Sequence, residues 1–260
     1  MRNAFLPLLL CLFALPASAL TLSELLQKNL VARGGAEKIA ALKSVRFTGT
    51  MKFSGWGGEF MLNSVVTRTG RLRSESTMQG LTQVTAWDGH EGWAINPFEG
   101  RKDPERMSAD DAKGLMEDAD IDGPLIGWRE AGSTLDYQGT EDVDGTPAHK
   151  IKVTLANGDI KIVYLDPDYF LEIRITTKQM VRGVEEESET DFGDYAQVEG
   201  VWFPMALESG APGGAKGAKT LYDKVVVNGS VDDRQFSFPA EAPAPKPAAK
   251  SAPAAAGGTT

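Results

Sequence analysis

The chain has 260 residues, with 36 acidic and 27 basic side chains and a net charge of −9 at pH 7. An acidic chain without a basic cluster is excluded as a general nucleic-acid binder. The single cysteine, Cys11, excludes an internal disulfide framework.

Residues 1–19 hold one basic residue (Arg2), an apolar run and the ending Ala17-Ser18-Ala19. This pattern predicts an export signal cleaved after Ala19. The rival, a membrane anchor, suits the segment less well because the run is short and contains Pro7 and Pro16. Cleavage would remove Cys11, leave no thiol chemistry, and take the net charge from −9 to −10. From Pro239 to Thr260 alanine, proline and lysine dominate and no large apolar residue occurs, which predicts a disordered or extended tail over 239–260. The folded part is then 20–238.

Thr21 and Glu24 have capping-box spacing, and Leu22, Leu25, Leu26 and Leu30 follow at helical spacing until Gly34-Gly35. A second short helix is expected over 36–42, with Ile39 and Leu42 turned inward. The period then changes to two. Val45, Phe47, Met51 and Phe53 alternate with Arg46, Thr48, Thr50 and Lys52, the pattern of a half-buried strand. Strands are expected over 59–69, 72–78, 81–87 and 93–96, joined by tight turns such as Asp88-Gly89. Pro104–Trp128 interrupts them with a helical pattern. Ser108 and Asp111 suit a capping box, and Ala112, Leu115, Met116 and Ala119 form a narrow apolar stripe. Beyond it, strands are expected over 135–143, 148–155, 159–165, 171–181, 184–195, 201–207, 220–228 and 236–238. The turns between them include Asp144-Gly145, Asn157-Gly158 and Arg182-Gly183.

Nearly all of these strands are linked as antiparallel neighbours, and no strand–helix–strand alternation points to a parallel sheet. The expected fold is mainly β: a single highly curved antiparallel sheet, or an incomplete barrel, of about eleven strands with a helical lid. The narrow stripe on the middle helix suits a lid over a pocket mouth better than a core anchor.

Motifs for chemistry are weak. Asp118-x-Asp120-x-Asp122-Gly123 resembles half of a calcium loop, but Arg129 stands where the bidentate glutamate belongs. Gly213–Thr220 (GGAKGAKT) approaches a phosphate loop, but Ala218 replaces the glycine and the stretch lies between strands. His90 and His149 lack zinc-site spacing. The acidic run Glu185-Glu186-Glu187-x-Glu189-x-Asp191 suits a solvated sheet face. No nucleophile elbow occurs. No catalytic residue, metal or cofactor is expected. Two short helices are little cover for so many strands, so the inner face needs closure, a second layer or an apolar ligand. The residues expected to line an apolar cavity and its lid are Met51, Phe53, Phe60, Leu62, Leu72, Met78, Trp93, Ile95, Leu115, Met116, Ile151 and Val153. The methionines suit flexible chains.

Five stretches carry a family likeness: 34–51 (GGAEKIAALKSVRFTGTM), 86–108 (AWDGHEGWAINPFEGRKDPERMS), 118–128 (DADIDGPLIGW), 157–174 (NGDIKIVYLDPDYFLEIR) and 192–210 (FGDYAQVEGVWFPMALESG). Together they resemble bacterial outer-membrane lipoprotein-sorting proteins, distant relatives of the LolA carrier. The resemblance spans about 30–238. It implies an unclosed antiparallel barrel with helices as a lid, a periplasmic location, and acyl chains of lipids or lipoproteins as ligands. Envelope proteins as partners and transient membrane contact would go with that role. An envelope interaction module without a lipid ligand is the other reading.

Overall fold

The computed structural model describes residues 20–55 and 57–239. The expected export signal, all of the expected tail beyond Pro239, and Trp56 lie outside the described residues.

The chain opens with α1 (Leu22–Arg33), started by the expected box: Thr21 accepts from Glu24 N–H and the Glu24 carboxylate accepts from Thr21 N–H. Gly34 ends it at φ +130°. A Cβ there would lie 2.4 Å from the Gly200 carbonyl oxygen, so only glycine lets the helix end approach that turn. After α2 (Ala36–Ala40) come β1 (Ser44–Phe53), β2 (Glu59–Thr67), β3 (Arg71–Met78), β4 (Leu81–Trp87), β5 (Gly92–Asn96) and β6 (Arg101–Arg106). The interruption follows, with α3 (Lys113–Asp118). The second run is β7 (Thr134–Val143), β8 (Thr146–Thr154), β9 (Ile160–Leu165), β10 (Glu172–Val181), β11 (Val184–Gly193), β12 (Ala196–Val198), β13 (Val201–Phe203), β14 (Ala206–Gly210) and β15 (Lys216–Val227).

Thirteen of these strands form one sheet in the order β6-β5-β4-β3-β2-β1-β15-β14-β11-β10-β9-β8-β7, and β12 and β13 form a separate hairpin. Every pairing is antiparallel. β6 and β7 are the two edges and do not pair with each other, so the sheet is curved but unclosed. The two sequence runs form two wings, joined by β1 against β15. At that junction the register shifts between Thr48 and Gly49. A Cβ on Gly49 would lie 2.0 Å from the Leu221 carbonyl oxygen, so the bulge and its glycine let the strands coil tightly. Hairpins at Gln79-Gly80, Asp144-Gly145, Arg182-Gly183 and Glu199-Gly200 have positive φ at both residues. That backbone twist matches the flanking strands.

Five expectations are corrected. The described residues hold fifteen strands rather than about eleven. β6 is a strand where the helical stretch is expected to begin at Pro104, and an edge strand tolerates that proline on its unpaired side. The expected strand over 201–207 is divided at Pro204 between β13 and β14, which belong to different sheets. The expected strand over 236–238 is instead a segment following a 3-10 turn at Asp233–Gln235. The middle helix is only six residues long. Ser108 and Asp111 do cap each other, at 2.7 and 3.2 Å, but the turn they start breaks before Lys113.

The wings are covered differently. Over β7–β9, Leu25 of α1 and Leu125 pack on Ile151, Val153, Val163 and Leu165. At the junction, Ile39 and Leu42 pack with Val45, Val201, Phe203 and Val225. Over β2 and β3, Leu115 and Ala119 meet Val66 and Leu72. On the outer face, Val84, Ala86 and Trp93 are covered by Phe238, and the Trp93 indole N–H donates to the Phe236 carbonyl at 2.7 Å.

Candidate functional site

Side chains directly opposite each other in an antiparallel pair share a face. Val45 lies opposite Val66, and Val66 opposite Leu72. On the other flank, Ile175 lies opposite Val163, which lies opposite Ile151. These residues define the inner face, the one the helices cover. Between the two wings, beneath the end of α3, is a cavity of about 240 Å³. Phe47, Val66, Ile121, Ile175, Phe192 and Phe203 supply apolar walls. Phe47 meets Phe203 edge-on at 5.9 Å and leans on Tyr222 at 4.9 Å, which fixes the floor.

The polar part of the lining is acidic: Asp118, Asp120 and Glu172, with Arg33 as the one cation. Arg33 donates to the Asp122 carbonyl. Glu172 accepts from the Asn29 side chain at 3.1 Å. Burial raises the carboxyl pKa of Asp118 and, in the same way, that of Asp120. By surface area Asp118 is exposed, and it is one of the residues that line the cavity. Burial, followed by the charge of Asp118, pushes the Tyr222 hydroxyl up to about 12.

The roof is held by contacts of two kinds. Toward β9–β11, Lys161 pairs with Glu117 of α3 at 2.7 Å, with side chains 15 % and 14 % exposed. Lys113 donates to the Met180 carbonyl at 2.6 Å and Arg182 pairs with Asp111 at 2.7 Å. Toward β2–β4 the contacts are apolar, with Ala112 and Ala119 buried and Leu115 against Val66 and Leu72.

None of the twelve residues expected to line the cavity is among those that line it; they are placed in five settings. Met51, Phe60, Leu62 and Leu72 share the inner face by register. Phe53 and Met78 continue it at the ends of β1 and β3, toward the end of the channel away from the helices, where Phe60 packs between Phe53 and Phe98. Leu115 is in the roof. Trp93 and Ile95 are on the outer face, because Trp93 lies opposite Ala86, Ala86 opposite Arg73, and Arg73 opposite Val65. Ile151 and Val153 face inward but are sealed beneath α1 and fully buried. Met116 is 50 % exposed and points away from the cavity. The reason for the Trp93 and Ile95 correction is parity: each strand's face depends on the turn before it, and the Asp88–Glu91 turn puts Gly92, not Trp93, on the inner side.

Sequence reasoning missed Ile175, Phe192, Tyr195 and Phe203 as lining residues. Phe47 and Phe192 belong to alternating strands that carried the right signal. Asp118 was singled out only as a calcium ligand. That reading finds no support: Asp122 pairs with Arg68 at 2.5 Å, Asp120 accepts from the Asp122 N–H at 2.9 Å, and no metal-holding cluster occurs among the described residues. The acidic run in β11 is also corrected in part. Glu189 is buried and joins Asp191, Arg174 and Lys216 in an outer-face ion network. His149, on β8, is packed, stacked on Phe170 and bonded to the Tyr137 hydroxyl at 3.0 Å.

No family model matches the chain, and no curated protein matches it. Solved structures do. A domain named for outer membrane lipoprotein sorting, from Vibrio parahaemolyticus, superposes with a TM-score of 0.55 at 10% identity, over 82% of this chain and 94% of that one. A LolA superfamily protein from Nitrosomonas europaea gives 0.55 at 12% identity, over 84% and 98%. The fold is LolA-like. A DUF1329 family protein from Desulfovibrio piger matches equally well, at 0.55 and 12% identity over 83% and 96%. The LolA-like sheet is therefore present over most of this chain, and these identities show likeness of fold alone.

Proposed function

We propose that this protein is a non-enzymatic periplasmic carrier or sensor that holds acyl chains, from free lipids or from lipoproteins, in its inner-face channel. The observation that carries the reading is the cavity of about 240 Å³ between two packed wings, walled by Phe47, Val66, Ile175 and Phe192 and roofed by a short segment. The cavity opens to solvent, so it is a recess a ligand could enter rather than a gap in the packed core. The volume lies just below the usual range for ligand pockets, about 300–1,000 Å³, so a long chain would extend along Leu62 and Phe60 toward the open end. Each methylene moved from water into such a site contributes about 0.8 kcal/mol. The LolA-like fold supports the same reading, since the similar Vibrio domain is named for lipoprotein sorting. Export by residues 1–19 and a spacer role for 239–260 complete the proposal. Envelope partners would then take the ligand when the roof opens.

The test is native mass spectrometry of protein purified from its own host, followed by fluorescent fatty-acid binding to delipidated protein. Bound lipid in the first and saturable binding in the second are expected. Failure of both would leave the envelope interaction module as the better reading.

A further inference from the structure

The acidic roof of the cavity has a consequence for which ligands fit. Asp118 is the last residue of α3 and lines the cavity. Phe47, Ile175 and Phe192 line the cavity beside it. Its charge is felt by Tyr222 on the floor. Among the described residues no hydrogen bond or ion pair reaches its carboxylate. Nearby charges are already engaged. Lys161 is held by Glu117, and Arg33 donates to the Asp122 carbonyl. Asp120 and Glu172 add two more carboxylates to the lining and no second cation joins Arg33. A largely apolar chamber whose lining carries a carboxylate without a protein partner offers a charged acceptor, and a donor on the ligand would pair with it.

We propose that the channel selects amphiphiles whose polar end is a cation or strong hydrogen-bond donor, an alkyl ammonium group above all, with Asp118 receiving that group and the aromatic walls receiving the chain. An anionic end is disfavoured at the same place, because it would face three carboxylates across one arginine. The inference rests on the acyl-chain reading above and narrows it.

The test uses three probes with the same tail: dodecylamine, dodecanol and dodecanoate, titrated below their micellar limits into delipidated protein by competition with a fluorescent lipid. The expected order is amine, then alcohol, then carboxylate, with the amine at least about tenfold tighter than the alcohol, as one charge-assisted hydrogen bond allows. Asp118→Asn is expected to bring amine and alcohol together by weakening the amine most, and Asp118→Glu to keep the preference. If Asp118→Asn loses all three probes, Asp118→Glu decides: a retained amine preference supports the assignment and a lost one overturns it. A preference that survives Asp118→Asn arises from the general negative field of the protein and overturns the assignment to Asp118. Dodecanoate binding as tightly as dodecylamine overturns the selectivity but leaves the acyl-chain reading standing. Binding of none of the three overturns both.

Discussion

Replacing Lys161 with methionine is expected to free the roof without unfolding the protein. Lys161 and Glu117 are 2.7 Å apart and mostly shielded from water. The second Glu117 oxygen, Oε1, is buried without a partner, so the pair already carries an unsatisfied acceptor. Removing one member of a buried pair costs about 3–5 kcal/mol because the other charge is left stranded; the residual exposure argues for the lower end, about 3 kcal/mol. The protein can avoid that cost by letting α3 swing out. A six-residue helix has no stability of its own. Its other polar ties to the wing that carries Lys161 are the Lys113 bond to the Met180 carbonyl, the Lys113–Asp159 pair at 3.9 Å, the Arg182 N–H donating to Asp110 at 3.1 Å and the exposed Arg182–Asp111 pair, and exposed pairs contribute about 0–1 kcal/mol. The apolar contacts of Ala112, Leu115 and Ala119 then hold it alone. The readout is amide hydrogen exchange at Met116 and Ala119, whose N–H groups bond to Ala112 and Leu115 carbonyls at 3.0 Å. Protection there is expected to fall about 100-fold, the equivalent of roughly 3 kcal/mol at 1.36 kcal/mol per decade. Exchange at Val163, buried under α1, should not change. Adding Glu117→Leu is expected to restore protection, since an apolar pair can replace a buried ionic one without loss. Unchanged protection in α3, or an equal fall at Val163, would refute the view of α3 as a latched roof.

Three further outcomes follow from the geometry. Phe236→Ala, at a fully buried outer-face position, is expected to lower stability in urea by about 3–5 kcal/mol while leaving fatty-acid affinity per folded molecule unchanged; a matching loss of affinity would mean that the two faces are coupled. Met116→Lys is expected to stay within about 0.5 kcal/mol of the parent, and Leu115→Asp to cost well beyond that in roof protection by hydrogen exchange; equal effects would contradict the assigned orientation of α3. Burial lowers the His149 pKa, so the folded protein binds this proton less readily than the unfolded chain does. That contribution to stability is present above about pH 6.5, the unfolded value, and is lost as pH falls below it. His149→Gln, which can keep a bond to Tyr137, is expected to flatten the difference in urea midpoint between pH 7.5 and 5.5; an unchanged slope assigns the dependence to other groups.

The architecture was legible because its signals are local. Thr21 and Glu24 mark a helix start that forms as written, and alternation from Val45 onward gives strands that do form. Single antiparallel sheets are built by such strands when short turns connect them, so sheet type followed from turn chemistry at Gln79-Gly80 and Asp144-Gly145. What was not legible depends on distant partners. The face on which Trp93 lies is set by its neighbours Ala86 and Arg73 and then by Phe236, 143 residues away. The sealing of Ile151 depends on α1, which precedes it by more than a hundred residues. The short extent of α3 has a local cause that was underweighted. Gly114 and the acidic end of the stretch give poor helix propagation, so one face of a short turn does the work expected of a longer helix.

The unequal cover of the two wings implies where a ligand would enter. The β7–β9 wing is closed by α1, whose Leu25 is fully buried against Ile151 and Val163 and whose Asn29 side chain donates to the Phe170 carbonyl at 2.8 Å. Opening there would expose a continuous apolar cluster. The outer face of the other wing is closed by Phe236 and Phe238. The α3 segment is different. It spans from one wing to the other, and it is short. The edges β6 and β7 remain unpaired, so the wings are not locked together by backbone hydrogen bonds across the gap. In a closed barrel a ligand could enter only at a mouth. In this sheet the roof can lift along the open seam, and a chain as long as the inner face could be laid in from the side.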